Sequence, residues 1–499
     1  MNSYIVKQKD IEILMQSDKT LYYKLELLNE DFKIIDCIDG NLISDNISID
    51  SSSDIRRTYN CQLVVTDSTF DIGYDKKVWF DKRIRPYIGI LHQRTQEVVY
   101  YLLGTFLFTE ANYNYDTTTN TLSLTCNDMM CLLNGVRGGN LSVYKRTILE
   151  GTDARTIIID LLNEIGITKY FIEFNINNDV ISTFKIPYDM VYNAGMTAYQ
   201  IIKDIVDLYP GTEMYFSKDG TFMIDRIPTG ENEQVVLADD IVQPILISEQ
   251  SNTSFSNVYN HIEIWGKINE PDYYSKEVSS NNNVYYSTIV TSKLNEDDNS
   301  YIDVYYDEYD NFDVFALRIP ETNKENQKIN INSIGDIPIH NDKGESLPAN
   351  YLDENTDCIF RYREDENDFL YIGQYQCYAE CYLTNNINDT SENAVINIDN
   401  EFVIEKIGDK LKVLSGGDYD KIYTNSLCLQ RCKYELYNAT NKQNNLTLNT
   451  IAIPWLDVNQ LIEYKSNNNK QQYIINNISC DYSNFTMNIS CNRYYKNYI

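Results

Sequence analysis

Short runs of β-branched, aromatic and leucine residues, each bounded by turn residues, fill both ends of this 499-residue chain. A chain built from such runs must bury their apolar side chains between packed sheets or inside a closed one. In the first 135 residues the runs recur at a spacing typical of a β-sandwich or a β-barrel. The clearest runs are 21–28, 60–65, 97–103, 104–109 and 121–126.

Residues 146–228 have a different character and predict a small α+β module. Apolar residues recur at helical spacing over 154–165, and Thr152 is the predicted N-cap of that helix. The same periodicity predicts a second helix over 197–209, which the following Pro-Gly pair ends. Two strand-like runs then flank Asp219-Gly220, a pair typical of a hairpin turn.

The remainder of the chain, 229–499, returns to strand-like patterning, with the alternating run 259–266 near its start. Within it, residues 291–370 carry 20 Asp and Glu against 7 Lys and Arg, so much of the chain's negative charge is concentrated there. We interpret 270–424 as an acidic β-rich insertion, parts of which can be disordered. Residues 425–437 predict one helix, after which the tail alternates again.

Two hairpin-like segments near opposite ends of the chain echo each other. Residues 106–127 and 473–492 both run from a strand through a Tyr-containing turn into a second strand. The second strands end in Leu122-Ser-Leu-Thr-Cys-Asn127 and Met487-Asn-Ile-Ser-Cys-Asn492, which alternate apolar and polar residues before Cys-Asn. This echo favours a duplicated β-barrel, with one copy near each end. Chance similarity between two hairpins is the alternative.

The net charge of -31 and the three His limit the chemistry open to the chain. Phosphate contacts need Lys and Arg, so the chain is a poor nucleic-acid clamp. No phosphate-binding loop, zinc-protease motif, nucleophile elbow or EF-hand loop occurs, and His92, His261 and His340 lack a Ser or Cys partner at a familiar spacing. The acidic runs 296–298 and 364–366 favour solvated loops over calcium sites. We therefore predict no enzyme activity, no catalytic or cofactor-binding residue and no metal ligand.

One basic patch, 76–85, interleaves Lys and Arg with Trp and Phe, and Arg56-Arg57 precede it. Such interleaving is compatible with nucleic-acid binding. In so acidic a protein, contact with an acidic neighbouring subunit fits better, and an ordinary solvated strand edge fits best.

The eleven Cys include two pairs at i, i+4 spacing, Cys377 with Cys381 and Cys428 with Cys432. Zinc sites favour tighter knuckles or nearby His, so we predict reduced and mostly buried thiols. The N-terminus lacks the pattern of a secretory signal, and no apolar run reaches the roughly 18 residues of a membrane span. We therefore expect synthesis in the cytoplasm and no membrane insertion.

The order of these features resembles that of the tail hub (baseplate hub) proteins of tailed bacteriophages and related contractile injection systems. The resemblance covers about 1–266 and 425–499 and leaves the acidic insertion outside. It depends on the order of short, mostly hydrophobic segments and not on invariant catalytic residues. These are Arg56-Arg57, Trp79, 84–90, 103–106, 195–197, 218–224, 256–266, 450–458 and 461–464.

The resemblance implies a mainly β fold with a small α+β module: two tail-tube-like β-barrel domains plus accessory domains. The first barrel would span 1–145 and the α+β module 146–228. The second barrel would combine 229–269 with 425–499, interrupted by the insertion 270–424.

As implied by the resemblance, the protein is a structural virion protein assembled in the host cytoplasm. Three copies would form a pseudo-sixfold ring that joins the hexameric tail tube to the threefold tip or spike. Its partners would be a tail tube or distal tail protein, a spike or tip protein and, as a further candidate, the tape measure protein. DNA would pass through the ring without specific binding, and an acidic lumen would act as a non-adhesive wall. The alternative is a tail-associated glycan-binding or glycan-degrading β protein for host adsorption.

Overall fold

The computed structural model confirms a mainly β protein that contains a small α+β module. The six α-helices of the described residues are short, apart from one of 17 residues. No helix among the described residues has the length and apolarity that crossing a membrane requires. The structure describes residues 4–39, 42–65, 72–115, 120–142, 145–149, 151–174, 185–186, 189–209, 211–228, 233–268, 271–294, 301–305, 309, 311, 313–441, 444–466 and 469–495.

The first β segment begins with a short helix and continues as eight strands. Their burial alternates, as in β4 and β8, because one face of each strand packs into the core while the other meets solvent. The elements are α1 (Gln8–Leu14), β1 (Leu21–Leu28), β2 (Ile34–Asp39), β3 (Leu42–Asp50), β4 (Arg57–Val64), β5 (Arg83–His92), β6 (Glu97–Leu102), β7 (Phe106–Tyr115) and β8 (Asn120–Asp128).

The α+β module contains the two predicted helices and the predicted hairpin. The first helix is capped by Asp153, whose carboxylate accepts from the backbone N–H of Thr156, so the prediction of Thr152 as the cap was wrong by one residue. Thr197 caps the second helix in the same way. The elements are β9 (Lys145–Ile148), α2 (Ala154–Glu164), β10 (Tyr170–Ile172), β11 (Met190–Asn193), α3 (Ala198–Val206), β12 (Thr212–Phe216) and β13 (Phe222–Arg226).

The rest of the chain supplies eighteen strands and three helices among the described residues. The helix predicted over 425–437 is present and runs to Asn441. The elements before the insertion are β14 (Val235–Leu237), α4 (Asp239–Val242), β15 (Leu246–Thr253) and β16 (His261–Ile268). The insertion adds β17 (Tyr273–Asn281), β18 (Val284–Leu294), β19 (Tyr301–Tyr305), β20 (Val314–Arg318), β21 (Lys328–Ile331), β22 (Ile337–His340), β23 (Asp357–Arg363) and β24 (Asp368–Gln374). It ends with β25 (Gln376–Thr384), β26 (Ala394–Ile396), α5 (Ile404–Ile407) and β27 (Leu411–Ser415), and after it come α6 (Asn425–Asn441), β28 (Asn444–Ile451), β29 (Leu461–Ser466), β30 (Asn469–Asp481) and β31 (Thr486–Arg493).

Strands from the two ends of the chain belong to one 14-stranded sheet. Its main path runs β15-β28-β31-β30-β3-β4-β8-β7-β5-β1-β2, and β6, β14 and β29 pair beside it. The main apolar core against this sheet draws on both halves, since Ile47 and Leu122 share it with Ile478 and Ile489. A second core, built around α2 and α3, joins the α+β module to Leu107 and residues 129–133 of the first β segment.

The first part of the acidic insertion, from β17 to β24, forms a closed barrel. The seven strands β17, β20, β23, β24, β22, β21 and β18 pair in that order, and β18 pairs back onto β17 to complete the circuit. The barrel is filled by its own cluster of buried side chains, among them Phe315, Phe360 and Phe369. Closure leaves no free edge along the circuit, so an acidic exterior is compatible with an ordered apolar interior.

A four-stranded sheet, β26-β25-β16-β27, lies where the chain enters and leaves this barrel. Helix α6 packs on one face, and its Cys428 and Cys432 meet Cys377 and Cys381 of β25 in a shared core. All four thiols are free and buried, which confirms the prediction of reduced, buried cysteines.

Candidate functional site

The two halves of the large sheet are joined by antiparallel pairing between β3 and β30. The inward side chains at this seam are fully buried: Ile47 and Ile49 from β3 face Cys480 and Ile478 from β30. The pairs in register are Asn46 with Asp481, Ile47 with Cys480, Ser48 with Ser479, Ile49 with Ile478 and Asp50 with Asn477.

The two echoing segments are hairpins of the same geometry. In each, the second strand alternates buried and exposed residues, and both Cys126 and Cys491 point into the core. Cys126 lies opposite Phe108, and Cys491 lies opposite Ile475. Directly after each of these pairs the first strand carries a β-bulge, between Phe108 and Glu110 in one hairpin and between Ile475 and Asn477 in the other. A bulge sets strand register, so its repetition favours duplication over chance similarity.

The equivalence continues into the neighbouring strands. Beside Cys126 lies Tyr59 of β4, and beside Cys491 lies Leu446 of β28. One strand further, Ile47 of β3 is opposite Tyr59, and Ser251 of β15 is opposite Leu446. The order β7-β8-β4-β3 therefore corresponds, strand for strand, to the order β30-β31-β28-β15.

This correspondence leaves two strand edges open. Strand β3 pairs with β30, whereas its equivalent β15 ends the sheet and pairs only with β28 among the described residues. Strand β7, the equivalent of β30, pairs with β5 only through Phe106 and Leu107. Among the described residues, the rest of this edge of β7 is unpaired. Tyr113 is 41% exposed on that edge, while Cys480, its counterpart at the closed seam, is 1% exposed.

A buried charge cluster connects the α+β module to both halves of the sheet. Arg56 forms an ion pair with Glu213 of β12, and Arg57 forms one with Asp457 of the C-terminal segment. The Arg57 guanidinium also donates to the carbonyl oxygen of Phe216. Both arginines are 5% exposed or less. Arg56-Arg57 therefore belong to the interior, and the proposed nucleic-acid, subunit and solvated-edge interpretations were wrong for this pair.

Two further groups in the cluster have altered pKa values. Burial lowers the pKa of the Lys218 ammonium to about 8. Its Nζ donates to the carbonyl oxygens of Pro454 and Leu456, at 3.1 and 3.2 Å. Burial by itself would raise the pKa of Asp457, but the Arg57 and Lys218 cations outweigh it and hold that pKa below its usual range. The cluster thus keeps a carboxylate charged among three cations.

Other residues of the basic patch also form ion pairs or hydrogen bonds with residues of the same chain. Lys77 forms an ion pair with Asp36 at 2.6 Å. Arg85 donates to the hydroxyl of Thr105, at 2.9 Å, and to the carbonyl oxygen of Asp219, at 2.8 Å. Its strand, β5, lies between β1 and β6 or β7, so the prediction of a solvated strand edge was wrong here too.

The three histidines occupy three unrelated settings. His92 is buried and contacts Thr95 at 2.7 Å and Glu12 at 3.2 Å. His340 Nδ1 lies 2.6 Å from Asp368, which Arg363 also binds. His261 faces two glutamates, Glu263 and Glu380, that sequence reasoning did not connect because the pairing of β16 with β25 brings them together.

Of the two acidic runs weighed as calcium loops, the structure describes one. Residues 364–366 lie in the exposed turn between β23 and β24, and 296–298 lie outside the described residues. Among the described residues, the only group of three or more His, Cys, Asp or Glu side chains close enough to share a metal ion is His261, Glu263 and Glu380.

Comparisons with known proteins concern the C-terminal part of the sequence and the overall fold. The model of a domain of unknown function, DUF5048, matches residues 399–498. No curated protein matches the chain.

Solved structures of phage tail proteins are similar to almost the whole chain. A 43 kDa tail protein of prophage MuSo2 from Shewanella oneidensis is 9% identical, with a TM-score of 0.47 over 95% of this chain and 98% of that one. A tail protein from Neisseria meningitidis MC58 is 6% identical, with a TM-score of 0.46 over 94% and 96%. The prophage tail protein gp18 from Listeria monocytogenes EGD-e is 8% identical, with a TM-score of 0.42 over 94% of each chain.

Proposed function

We propose that this protein is a structural virion protein, the trimeric hub of a phage tail or baseplate, and that it has no catalytic role. The observation that carries the proposal is the duplicated strand order with one closed seam and two open edges. The order of features along the sequence, which resembles that of tail hub proteins, supports the same function. The hub would join the hexameric tail tube to the threefold tip or spike and surround the DNA channel.

The pairing of β3 with β30 at the closed seam indicates how strands of neighbouring copies would pair. Inside one chain β3 pairs with β30, so by equivalence β15 of one copy pairs with β7 of the next. Such a head-to-tail contact builds a ring when the rotation closes. Three chains with two repeats each then give six pseudo-equivalent positions, which match a hexameric tube on one side and a threefold tip on the other.

The equivalence also fixes the register of this contact. At the closed seam Ile47 faces Cys480, so in the ring Ser251 faces Tyr113 of the next copy. Because Ser251 and Thr253 replace the isoleucines of β3, main-chain hydrogen bonds and the Tyr113 ring carry more of this contact than apolar burial does. The proposed pairs are Gln250 with Asn114, Ser251 with Tyr113, Asn252 with Asn112, and Thr253 with Ala111.

In this proposal the division of the chain follows the repeats. The first tube-like barrel spans 1–145, the α+β module 146–228, and the second barrel 229–269 with 425–499. The insertion 270–424 contains the closed acidic barrel and is an accessory part. The chain's charge of -31 keeps DNA from adhering where acidic side chains line the channel. Tail tube or distal tail protein, spike or tip protein and tape measure protein are the expected neighbours.

Disulfide trapping tests the register. Tyr113→Cys and Ser251→Cys are combined in a Cys37→Ser background, because Cys37 is exposed and the other ten native thiols are buried. Residues directly opposite in antiparallel strands are close enough for a disulfide. Under mild oxidation we expect covalent dimers and trimers on a denaturing gel, and a mass of three chains by light scattering.

The control moves one cysteine by a single residue. Tyr113→Cys with Asn252→Cys places the two side chains on opposite faces of the sheet, so this pair should not cross-link. Equal cross-linking of both pairs, or a chain that stays monomeric, would contradict the ring. A monomer that binds or degrades a polysaccharide would favour the glycan-directed alternative.

A further inference from the structure

The strands that lead into and out of the inserted barrel bring two carboxylates face to face. Strand β16 ends shortly before the barrel begins, and β25 starts directly after it ends. In their antiparallel register Glu263 lies directly opposite Glu380. His261 is two residues before Glu263, so its imidazole lies on the same face of the sheet.

Like charges directly opposite each other weaken a strand pair. Among the described residues, no Lys or Arg forms an ion pair with Glu263 or Glu380, and Glu380 accepts one hydrogen bond, from the Tyr378 hydroxyl at 3.0 Å. Within the described part of the chain, neither carboxylate therefore has a Lys or Arg that offsets its charge where β16 pairs with β25.

The imidazole of His261 is oriented as a metal-binding histidine would be. Its Nδ1 lies 3.2 and 3.3 Å from the two carboxylate oxygens of Asp409, which favours a proton on Nδ1 and a lone pair on Nε2. Nε2 is buried, has no hydrogen-bond partner among the residues that the structure describes, and lies 3.6 Å from Glu380. A carboxylate that holds the distant ring nitrogen is the usual outer partner of a metal-bound histidine.

We propose that His261, Glu263 and Glu380 bind one Zn²⁺ ion, through Nε2 and one oxygen of each carboxylate, and that water completes the coordination. The three ligand atoms lie within 4.8 Å of one another. Zn²⁺ at about 2.0–2.2 Å from each ligand requires them to close by roughly 1 Å, which side-chain rotation supplies. One imidazole with two carboxylates suits Zn²⁺, whereas Mg²⁺ and Ca²⁺ favour all-oxygen sites.

The position of the site gives the ion a structural role. Bound between β16 and β25, Zn²⁺ ties together the two strands that connect the closed barrel to the rest of the chain. It also replaces a repulsive cross-strand pair with two attractive contacts. The site is independent of the ring contact, which involves β7 and β15, so failure of one proposal leaves the other standing.

Calorimetric titration of the full-length, chelator-treated protein with zinc chloride tests the site. We expect one Zn²⁺ per chain, bound at least about 100-fold more weakly after Glu263→Gln, Glu380→Gln or His261→Gln. Glu97→Gln is the control, because it removes an exposed carboxylate far from the site and should bind like the parent protein. Millimolar Mg²⁺ should not compete.

A second readout separates ligation from a general loss of structure. Glu263→Gln removes the repulsion, so without metal it should melt at the same temperature as the parent protein or above it. With Zn²⁺ the parent protein should melt at the higher temperature. Addition of Zn²⁺ should slow amide hydrogen exchange in β16 and β25 of the parent protein but not of the variant. Absence of zinc binding in the parent protein would overturn the proposal, as would stoichiometric binding that survives Glu263→Gln and His261→Gln.

Discussion

Cys126 and Cys491 occupy equivalent positions in two hairpins of one sheet, each opposite the residue at which the neighbouring strand bulges. Both thiols are buried, and burial raises the pKa of both. The equivalence extends over four strands on each side, and the seam between β3 and β30 joins the two sets.

Asp45 next to the seam should make stability fall as pH rises. Burial raises the pKa of Asp45 to about 7, although a hydrogen bond from Tyr59 opposes the shift. The native state then holds a proton between about pH 4 and 7 that the unfolded chain has lost, so the free energy of unfolding decreases across this range. Asp45→Asn should flatten that dependence and stabilise the protein at pH 8 by on the order of 2 kcal/mol. Urea unfolding at several pH values measures both effects.

Asp457→Asn should destabilise the protein strongly, because it leaves the buried Arg57 guanidinium without its carboxylate. Loss of one partner from a buried ion pair costs about 3–5 kcal/mol. Asp81→Asn is the matched control, since its exposed pair with Lys82 should contribute about 1 kcal/mol or less. Urea denaturation of both variants at pH 7 measures the difference, and similar losses in the two would contradict a buried role for Arg57.

Gly266→Ala should disturb the packing of α6 on the four-stranded sheet β26-β25-β16-β27. An added Cβ would lie 2.5 Å from the carbonyl oxygen of Ile422 and 2.9 Å from the Sγ of Cys428. Overpacking of this kind costs about 1–3 kcal/mol. Gly335→Ala, where a Cβ meets nothing within 4 Å, should change stability by less than about 0.5 kcal/mol. Thermal melts of the two variants make the comparison.

The inserted barrel should be separable from the rest of the chain. Its hydrogen-bonded circuit closes on itself, it has its own core, and Ile268 lies opposite Gln376 at its base. Replacing 269–375 with a short Gly-rich turn should therefore leave the large sheet folded, and 271–375 expressed alone should unfold cooperatively. Circular dichroism and denaturation of both products check this. Aggregation of both fragments would show that the barrel depends on the rest of the chain.

Local patterns predicted much of the secondary structure. Apolar periodicity located α2, α3 and α6, and the Asp219-Gly220 pair located the turn between β12 and β13. The echo of the two hairpins was visible because alternation and the Cys-Asn ending are local features. The N-cap was misplaced by one residue because Thr152 and Asp153 are both good caps, and only backbone geometry selects between them.

Contacts between residues distant in sequence could not be predicted this way. Arg56 and Arg57 were interpreted as surface residues because their acidic partners, Glu213 and Asp457, are distant in sequence. The acidic insertion gave no sign of closing into a barrel, since strand order is not encoded in the pattern of single strands.

Sequence patterns were sufficient to predict the mainly β character, the two-helix module, the buried thiols and the repeated hairpin. These depend on the spacing of apolar residues along the chain, which a linear pattern records directly. Only the folded chain shows that β3 pairs with β30, that β15 and β7 have open edges among the described residues, and that Glu263 faces Glu380. Those relationships join residues far apart in sequence, where hydrogen-bond register and burial, rather than local pattern, select the partner.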